Sequence, residues 1–511
     1  MSDIEMKPTS RSHSHVEEAS TADYPMKTVD TFHADEAMRV IATYSGDESW
    51  TEDEEKKLLQ KIDWNLMPIL CLTYALQYYD KAMLGQAAIF GLRTDLQLLT
   101  GDRYSFSASI FYLGFIVGAY PVMVLAQRYP VERVAAGTVS IWGLCLLLTT
   151  QCRNYQALYA QRFFLGVLES GISPMFMIVV SSWYKKNEQA LRMGIWYCCT
   201  GYISCVSPLI NWGLGQIHGG VSSWPYMFYF AGSITFVWGI VLLWVLKPEP
   251  ISVKVLNERE RYIAVSRLRS NNSGVRNTHF KGSQVRELLF DGKFWLLFFI
   301  AMLSMIANAP ISTFTPILIN GFGYSTFNSL LLSMPCSFWS GSMTLSMSYL
   351  CYRFTAKGIR SYLFIFTQMI VVFACILLVA VPSTVKGVAL FAIIILPSVG
   401  SGYGILMGIQ MANIAGYTKK SVASAGLFIG YCFGNFIGPL VYRSQDSPRY
   451  LIGFLVTIGS SVVSCILMYI YRMICSSENK KRDDAGIVEA YDNAYDDDLT
   501  DKKNLQFRYI L

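Results

Sequence analysis

Uncharged apolar stretches of about 18 residues or more recur along this chain, and no other feature of the sequence restricts its fold as tightly. A hydrocarbon core about 30 Å thick is crossed by roughly 20 apolar residues in an α-helix. Inside that core every backbone N–H and C=O must find its partner within the protein. The chain is therefore read as an all-α integral membrane protein. Its 511 residues are 53% hydrophobic and 15% charged, a balance richer in apolar residues than that of a soluble protein.

Twelve spans are predicted, at 65–92, 105–127, 134–151, 155–183, 193–216, 225–246, 294–319, 326–351, 361–382, 387–413, 421–442 and 450–473. They divide into two six-helix halves, 61–246 and 294–475, joined by a polar linker at 247–293. Within the linker, Leu256 to Leu268 interleaves apolar and charged residues, as either a short interfacial helix or a solvated connection would. Residues 1–60 carry 14 acids against 6 bases, and residues 476–511 carry 9 against 6. Both are read as solvated, disordered acidic tails, and no apolar segment in the first 60 residues suggests a cleaved signal.

Removing the tails leaves 30 Lys and Arg against 13 Asp and Glu between residues 61 and 475. Such an excess in a soluble chain would suggest nucleic acid. Here it marks sidedness, because 20 of the bases fall in one set of loops and 6 in the other. The positive-inside rule then puts both termini in the cytosol, where the sequon Asn271–Ser273 stays unglycosylated. The halves also echo one another. "WYKKNEQALRMG" follows span 4 and "GYTKKSVASAG" follows span 10, each a basic turn before a small-residue helix start. Two related six-helix halves around a midplane site are the layout of a rocker-type transporter, and the span count excludes a seven-helix receptor.

Apart from Arg472 at the end of span 12, charge inside the spans is confined to the first half. It consists of Asp80 and Lys81 on span 1, in "LQYYDKAML", and Arg162 and Glu169 on span 4, in "RFFLGVLESG". Each such residue at a helix centre costs about 2.5–3.5 kcal/mol on insertion scales, and such residues face bundle interiors or aqueous cavities. Tyr74, Tyr78 and Lys81 share one helical face, with Asp80 about 100° away. Arg162 and Glu169 nearly share a face, and Gly166 between them leaves space above the backbone. Proton exchange at Asp80 and Glu169 with anion attraction by Lys81 and Arg162 explains these four residues. Two structural ion pairs pinning spans 1 and 4 together explain them without any substrate.

No histidine lies inside a span: His13, His15, His33, His218 and His279 fall in the tail, at a span end or in the linker. Carboxylates are thus the proton carriers available near neutral pH, and a bis-histidine haem enzyme or a membrane metalloprotease is unsupported. The 12 cysteines show no C-x-x-C pair and no metal-ligand spacing, and are read as small buried hydrophobes. The second half offers neutral amides, Asn308, Gln410, Asn413 and Asn435. An interhelical hydrogen bond is the ordinary role for each, and the central pair Asn308 and Asn435 are favoured as ligand contacts. Pro174, Pro208, Pro310, Pro316, Pro397 and Pro439 are expected to kink their helices.

In "YYDKAMLGQAAIFGL", "RFFLGVLESGISPMFMIVVSSWYKKNEQALRMG" and the ending "LTDKKNLQFRYIL", the chain resembles fungal allantoate-permease-like transporters. These belong to the anion–cation symporter branch of the major facilitator superfamily. The resemblance implies proton-coupled movement of a small organic anion by alternating access. It implies proton carriage at Asp80 and Glu169, a carboxylate or coupling role for Lys81 and Arg162, and substrate contacts at Tyr78 and Asn435. The superfamily signature after span 2, G-x-x-x-D-x-x-G-R, is degraded here to "AQRYPVER". Lys81 stands where sugar-acid transporters often carry Arg, so a bidentate carboxylate clamp does not follow.

The expectation is a non-enzymatic symporter of the plasma membrane with twelve transmembrane helices in the major facilitator fold. It is expected to be monomeric, to take protons as coupling ion with no other cofactor, and to import a ureide such as allantoate, a carboxylate, a vitamin-like acid or a small peptide. Two other readings stay open: an exporter of an acidic metabolite, and a nutrient sensor that binds the anion with little flux.

Overall fold

The computed structural model describes residues 44, 46–47, 49–217, 222–247, 256–269, 281–354, 357–381, 385–446, 450–486 and 499–511. The five histidines and the sequon lie outside them. Helices cover all twelve predicted spans, six in each half. Spans 1 to 6 are built from Glu52–Ala87, Arg103–Arg128, Val131–Leu148, Tyr155–Glu169 with Ile172–Trp183, Lys186–Gly215 and Trp224–Val245. Spans 7 to 12 are built from Gly292–Ser304 with Asn308–Gly321, Thr326–Arg353, Arg360–Ala380, Lys386–Ile395 with Val399–Asn413, Tyr417–Val441 and Leu451–Asp484. Among the described residues, nine of these helices are long and apolar enough to cross a bilayer on composition alone. The other three are the charged span 1, the interrupted span 4 and the serine-rich span 8.

The predicted ends need correction. Span 1 begins at Glu52, inside the segment read as a tail. Thr51 caps it and Glu54 returns the bond to the Thr51 backbone, while four acids in the first turn face the helix N-terminus. Span 12 runs on to Asp484. Residues 499–511, read as solvated, instead pack against the second half, with Asp501 and Tyr509 buried. The linker helix, Glu258–Arg269, buries Tyr262, Ile263 and Val265 against the first half, and Tyr262 stacks on Tyr44 at 4.3 Å. Its apolar face meets protein, so neither an interfacial nor a solvated linker describes it.

Two extensive seams join the halves, span 2 against span 11 and span 5 against span 8, and span 1 also packs on span 7. The two seams are related by the same exchange of halves that relates the basic turns. At the second seam a side chain on Gly201 would run into the Gly341 backbone. Hydrogen bonds also cross toward the end of the bundle remote from the chain termini. Tyr104 Oη donates to Thr313 O at 3.0 Å and Ser105 Oγ to Tyr442 O at 3.1 Å.

Candidate functional site

Three of the spans that carry sequence-predicted polar residues, spans 4, 7 and 10, are interrupted near their middles. Span 4 breaks at Ser170–Gly171, directly after Glu169. Span 7 tightens into a 3₁₀ turn, Met305–Ala307, directly before Asn308. Span 10 does the same at Leu396–Ser398. Pro174, Pro310 and Pro397 lie within or just after these breaks, where a missing N–H and a crowded ring dislodge the i→i−4 ladder. The backbone freed in span 4 is partly reclaimed by span 1, since Gln77 Nε2 donates to the Glu169 carbonyl at 3.2 Å. Near its far end span 1 turns through a π-helical segment, Ala88–Leu92. There Gly91 holds a φ of 101°, which a side chain would resist.

The four intramembrane charges come together around this break. Asp80 is fully buried and faces Arg162, Glu169 and the Trp142 indole of span 3. Glu169, also buried, faces Lys81, Arg162 and Gln77. Yet no two of the four lie within 4 Å as an ion pair, and both oxygens of each carboxylate lack a hydrogen-bond partner among the described residues. Two structural ion pairs would have required direct contacts, and this structure holds none between them. Gly166 does not leave open space either. Its Cα face is pressed onto the Phe111 carbonyl of span 2, and Gly114 reciprocates against Phe163, so spans 2 and 4 meet backbone to backbone.

Lys81 points away from Asp80, as the 100° helical offset requires. Its ammonium lies over four rings: Phe115 at 4.8 Å, Tyr78 at 4.9 Å, Phe111 at 5.4 Å and Tyr112 at 5.8 Å. Ring faces carry partial negative charge and can hold a cation where no carboxylate reaches it. The aromatic layer continues across the seam, with Phe115 against Phe428 at 5.8 Å and Tyr431 against Tyr403 at 4.6 Å. Sequence reasoning found Tyr78 but missed the rings supplied by spans 2, 10 and 11, because no periodicity within one helix reveals a layer shared by several. Gln77 and Trp142 were missed as well. Their only signals were an amide one turn from the charged pair and an isolated indole in the middle of span 3.

The neutral amides of the second half sort differently. Asn308 Nδ2 donates to Asn435 Oδ1 at 2.8 Å, and Asn435 Nδ2 donates to the Tyr431 carbonyl at 2.8 Å. Asn435 is thereby engaged on both sides of its amide, tying span 7 to span 11, while Asn308 is the less buried of the two. Gln410 reaches Ser424 on span 11. Asn413 lies at the end of the bundle and binds the backbone of Ile510.

The profile of the Major Facilitator Superfamily matches residues 70–441. An uncharacterized transporter of Schizosaccharomyces pombe is 31% identical over 468 residues, which cover 91% of this chain and 89% of that one. The allantoate permease of Saccharomyces cerevisiae is 31% identical over 496 residues, covering 93% and 90%. The xylose transporter XylE from E. coli, solved in a partially occluded inward open conformation, shares 12% identity and a TM-score of 0.61. That match covers 80% of this chain and 97% of the XylE chain.

Proposed function

Given that this chain belongs to the Major Facilitator Superfamily and is a multi-pass membrane transporter, we propose that it imports a small organic anion together with protons. Both termini then lie in the cytosol, and the plasma membrane is its place of work. The observation that carries the reading is a set of four neighbouring charges, three of them buried, that make no ion pair with one another. Two positive and two negative groups balance in sum. Unpaired charge in a low-dielectric interior is costly, so protonating Asp80 or Glu169 leaves one positive charge that a monoanion can neutralise. Proton and anion then favour each other's binding, which is what coupling requires. Lys81 and Arg162 supply the attraction, with Tyr78 and Asn308 at the edge of the same region. Each proton moving inward supplies about 1.4 kcal/mol per pH unit. The allantoate permease among the relatives makes ureides the first substrates to try.

The test is uptake into proteoliposomes from a panel of radiolabelled ureides, carboxylates and dipeptides, with and without an inward proton gradient. Glu169→Gln is expected to abolish gradient-driven accumulation while retaining exchange of preloaded substrate. Accumulation that still follows the pH gradient in that variant would remove Glu169 from the coupling step.

A further inference from the structure

We propose that the terminus-bearing end of the second half is a peptide-binding site, filled in cis by residues 499–511, which brace that half. The site recognises a peptide with one buried acid near its start and a Tyr-Ile-Leu ending. The grip at the leading end is ionic. Asp501, 1% exposed, accepts from Lys419 Nζ at 2.7 Å and from Tyr509 Oη at 2.9 Å. Lys419 itself is held between Glu287 at 3.0 Å and Asp291 at 3.1 Å. Those two acids precede span 7 and Lys419 opens span 11, so Asp501 completes a cluster built from different parts of the half.

At the trailing end the segment's backbone is gripped by two side-chain amides, each offering the donor and acceptor that a sheet edge would offer. Ile510 N donates to Asn413 Oδ1 at 2.7 Å, and Asn413 Nδ2 donates back to the Ile510 carbonyl at 2.8 Å. Asn479 makes the same reciprocal pair with Tyr509, at 2.9 and 2.8 Å. The Leu511 carbonyl accepts from Arg360 N. Spans 7, 9, 10, 11 and 12 are thus all held by one 13-residue segment.

The first half is braced in an equivalent way by the linker helix. Lys185, in the basic turn after span 4, pairs with Glu55 at the start of span 1 at 2.5 Å. Arg267 of the linker helix, its side chain wholly buried, joins them through Glu188 at 3.3 Å, Glu55 at 3.6 Å and the Trp183 carbonyl at 2.8 Å. Each half therefore ties its basic turn to the start of its own first span and seals the junction with the segment that follows it.

The test deletes 499–511 and offers the labelled peptide LTDKKNLQFRYIL to the purified transporter. The expected result is saturable binding that raises the apparent Tm of the truncated protein toward that of the full chain. Replacing the peptide's Asp by Asn should weaken binding at least tenfold. Absent binding, or equal binding by the Asn peptide, overturns the proposal. If the truncated protein does not accumulate, the full chain decides. A side chain at Gly358, strained by the φ of 58° there, would place Cβ 3.2 Å from that of Leu511, a few tenths of an ångström inside disulfide spacing. Gly358→Cys with Leu511→Cys should therefore cross-link under mild oxidation in native membranes, detected by mass spectrometry. No cross-link means that the segment is not docked there.

Discussion

The two halves share one frame and a paired ionic cluster at the terminus-bearing end, and they differ in the charge they carry at the middle of the membrane. In the first half the ionisable side chains reach the middle of the membrane, where Asp80, Lys81, Arg162 and Glu169 lie near one another without touching. In the second half the corresponding depth carries no Asp, Glu, Lys or Arg, and the buried ions sit at the end of the bundle in direct contact, Lys419 against three carboxylates. Charges that touch and are hydrogen-bonded serve architecture, because breaking them strands a buried ion. Charges held apart have no such contact to lose, which is the ground on which a proton and anion site is proposed for them. Position along the bundle and pairing state together separate the two uses.

That contrast predicts a double dissociation. Lys419→Met leaves Glu287, Asp291 and Asp501 crowded without their shared cation, and breaking a buried pair from one side costs about 3–5 kcal/mol. The apparent Tm in detergent should fall by roughly 10 °C. Glu169→Gln breaks no contact within hydrogen-bond distance, so its Tm should stay within about 2 °C of wild type while its pH-driven uptake is lost. Melting curves of the two variants side by side decide the matter. Equal destabilisation would mean that the first half's charges are as structural as the second's.

Much of this division could be read from the sequence. The number of spans, the six-and-six split and the location of every intramembrane charge follow from uncharged runs and their interruptions, which the bilayer makes unusually informative. The echo of "WYKKNE" and "GYTKKS" was visible too, but its meaning was hidden: the partners of Lys185 and Lys419 are 130 and 82 to 132 residues away. The ending "LTDKKNLQFRYIL" reads as a polar tail by composition. Its docking depends on Asp501 meeting a buried lysine and on Asn413 and Asn479 pairing with its backbone, none of which composition records. The amides Asn308 and Asn435 were singled out for a ligand, and the structure first gives them to each other.

A smaller effect tests which end of the bundle is closed. Tyr104 reaches across from span 2 to the Thr313 carbonyl on span 7 at 3.0 Å, at the end remote from the termini. Tyr104→Phe removes one buried hydrogen bond between the halves and keeps the ring packed on Phe314 at 5.3 Å. The lost bond is worth about 1 kcal/mol, so the population open at that end should rise about fivefold. Labelling by a membrane-impermeant thiol reagent of a cysteine placed at Thr313 reads this directly. An unchanged labelling rate would show that Gly85, packed on the same carbonyl, keeps that end shut without the tyrosine.

The smallest effect concerns Asn308, and it sharpens the comparison where the halves meet. If the second half contributes contacts and no coupling, Asn308→Ala should raise the KM for the transported substrate about threefold, a loss of roughly 0.6 kcal/mol of binding. The pH dependence of uptake should stay as in wild type. Asn435→Ala removes the acceptor for Asn308 and the donor to Tyr431 together, so it should act on stability and on KM. The ratio of the two variants' KM values then separates substrate contact from scaffolding. A shifted pH profile in Asn308→Ala would place part of the coupling machinery in the half that carries no intramembrane charge, and the division of labour between the halves would fail at that point.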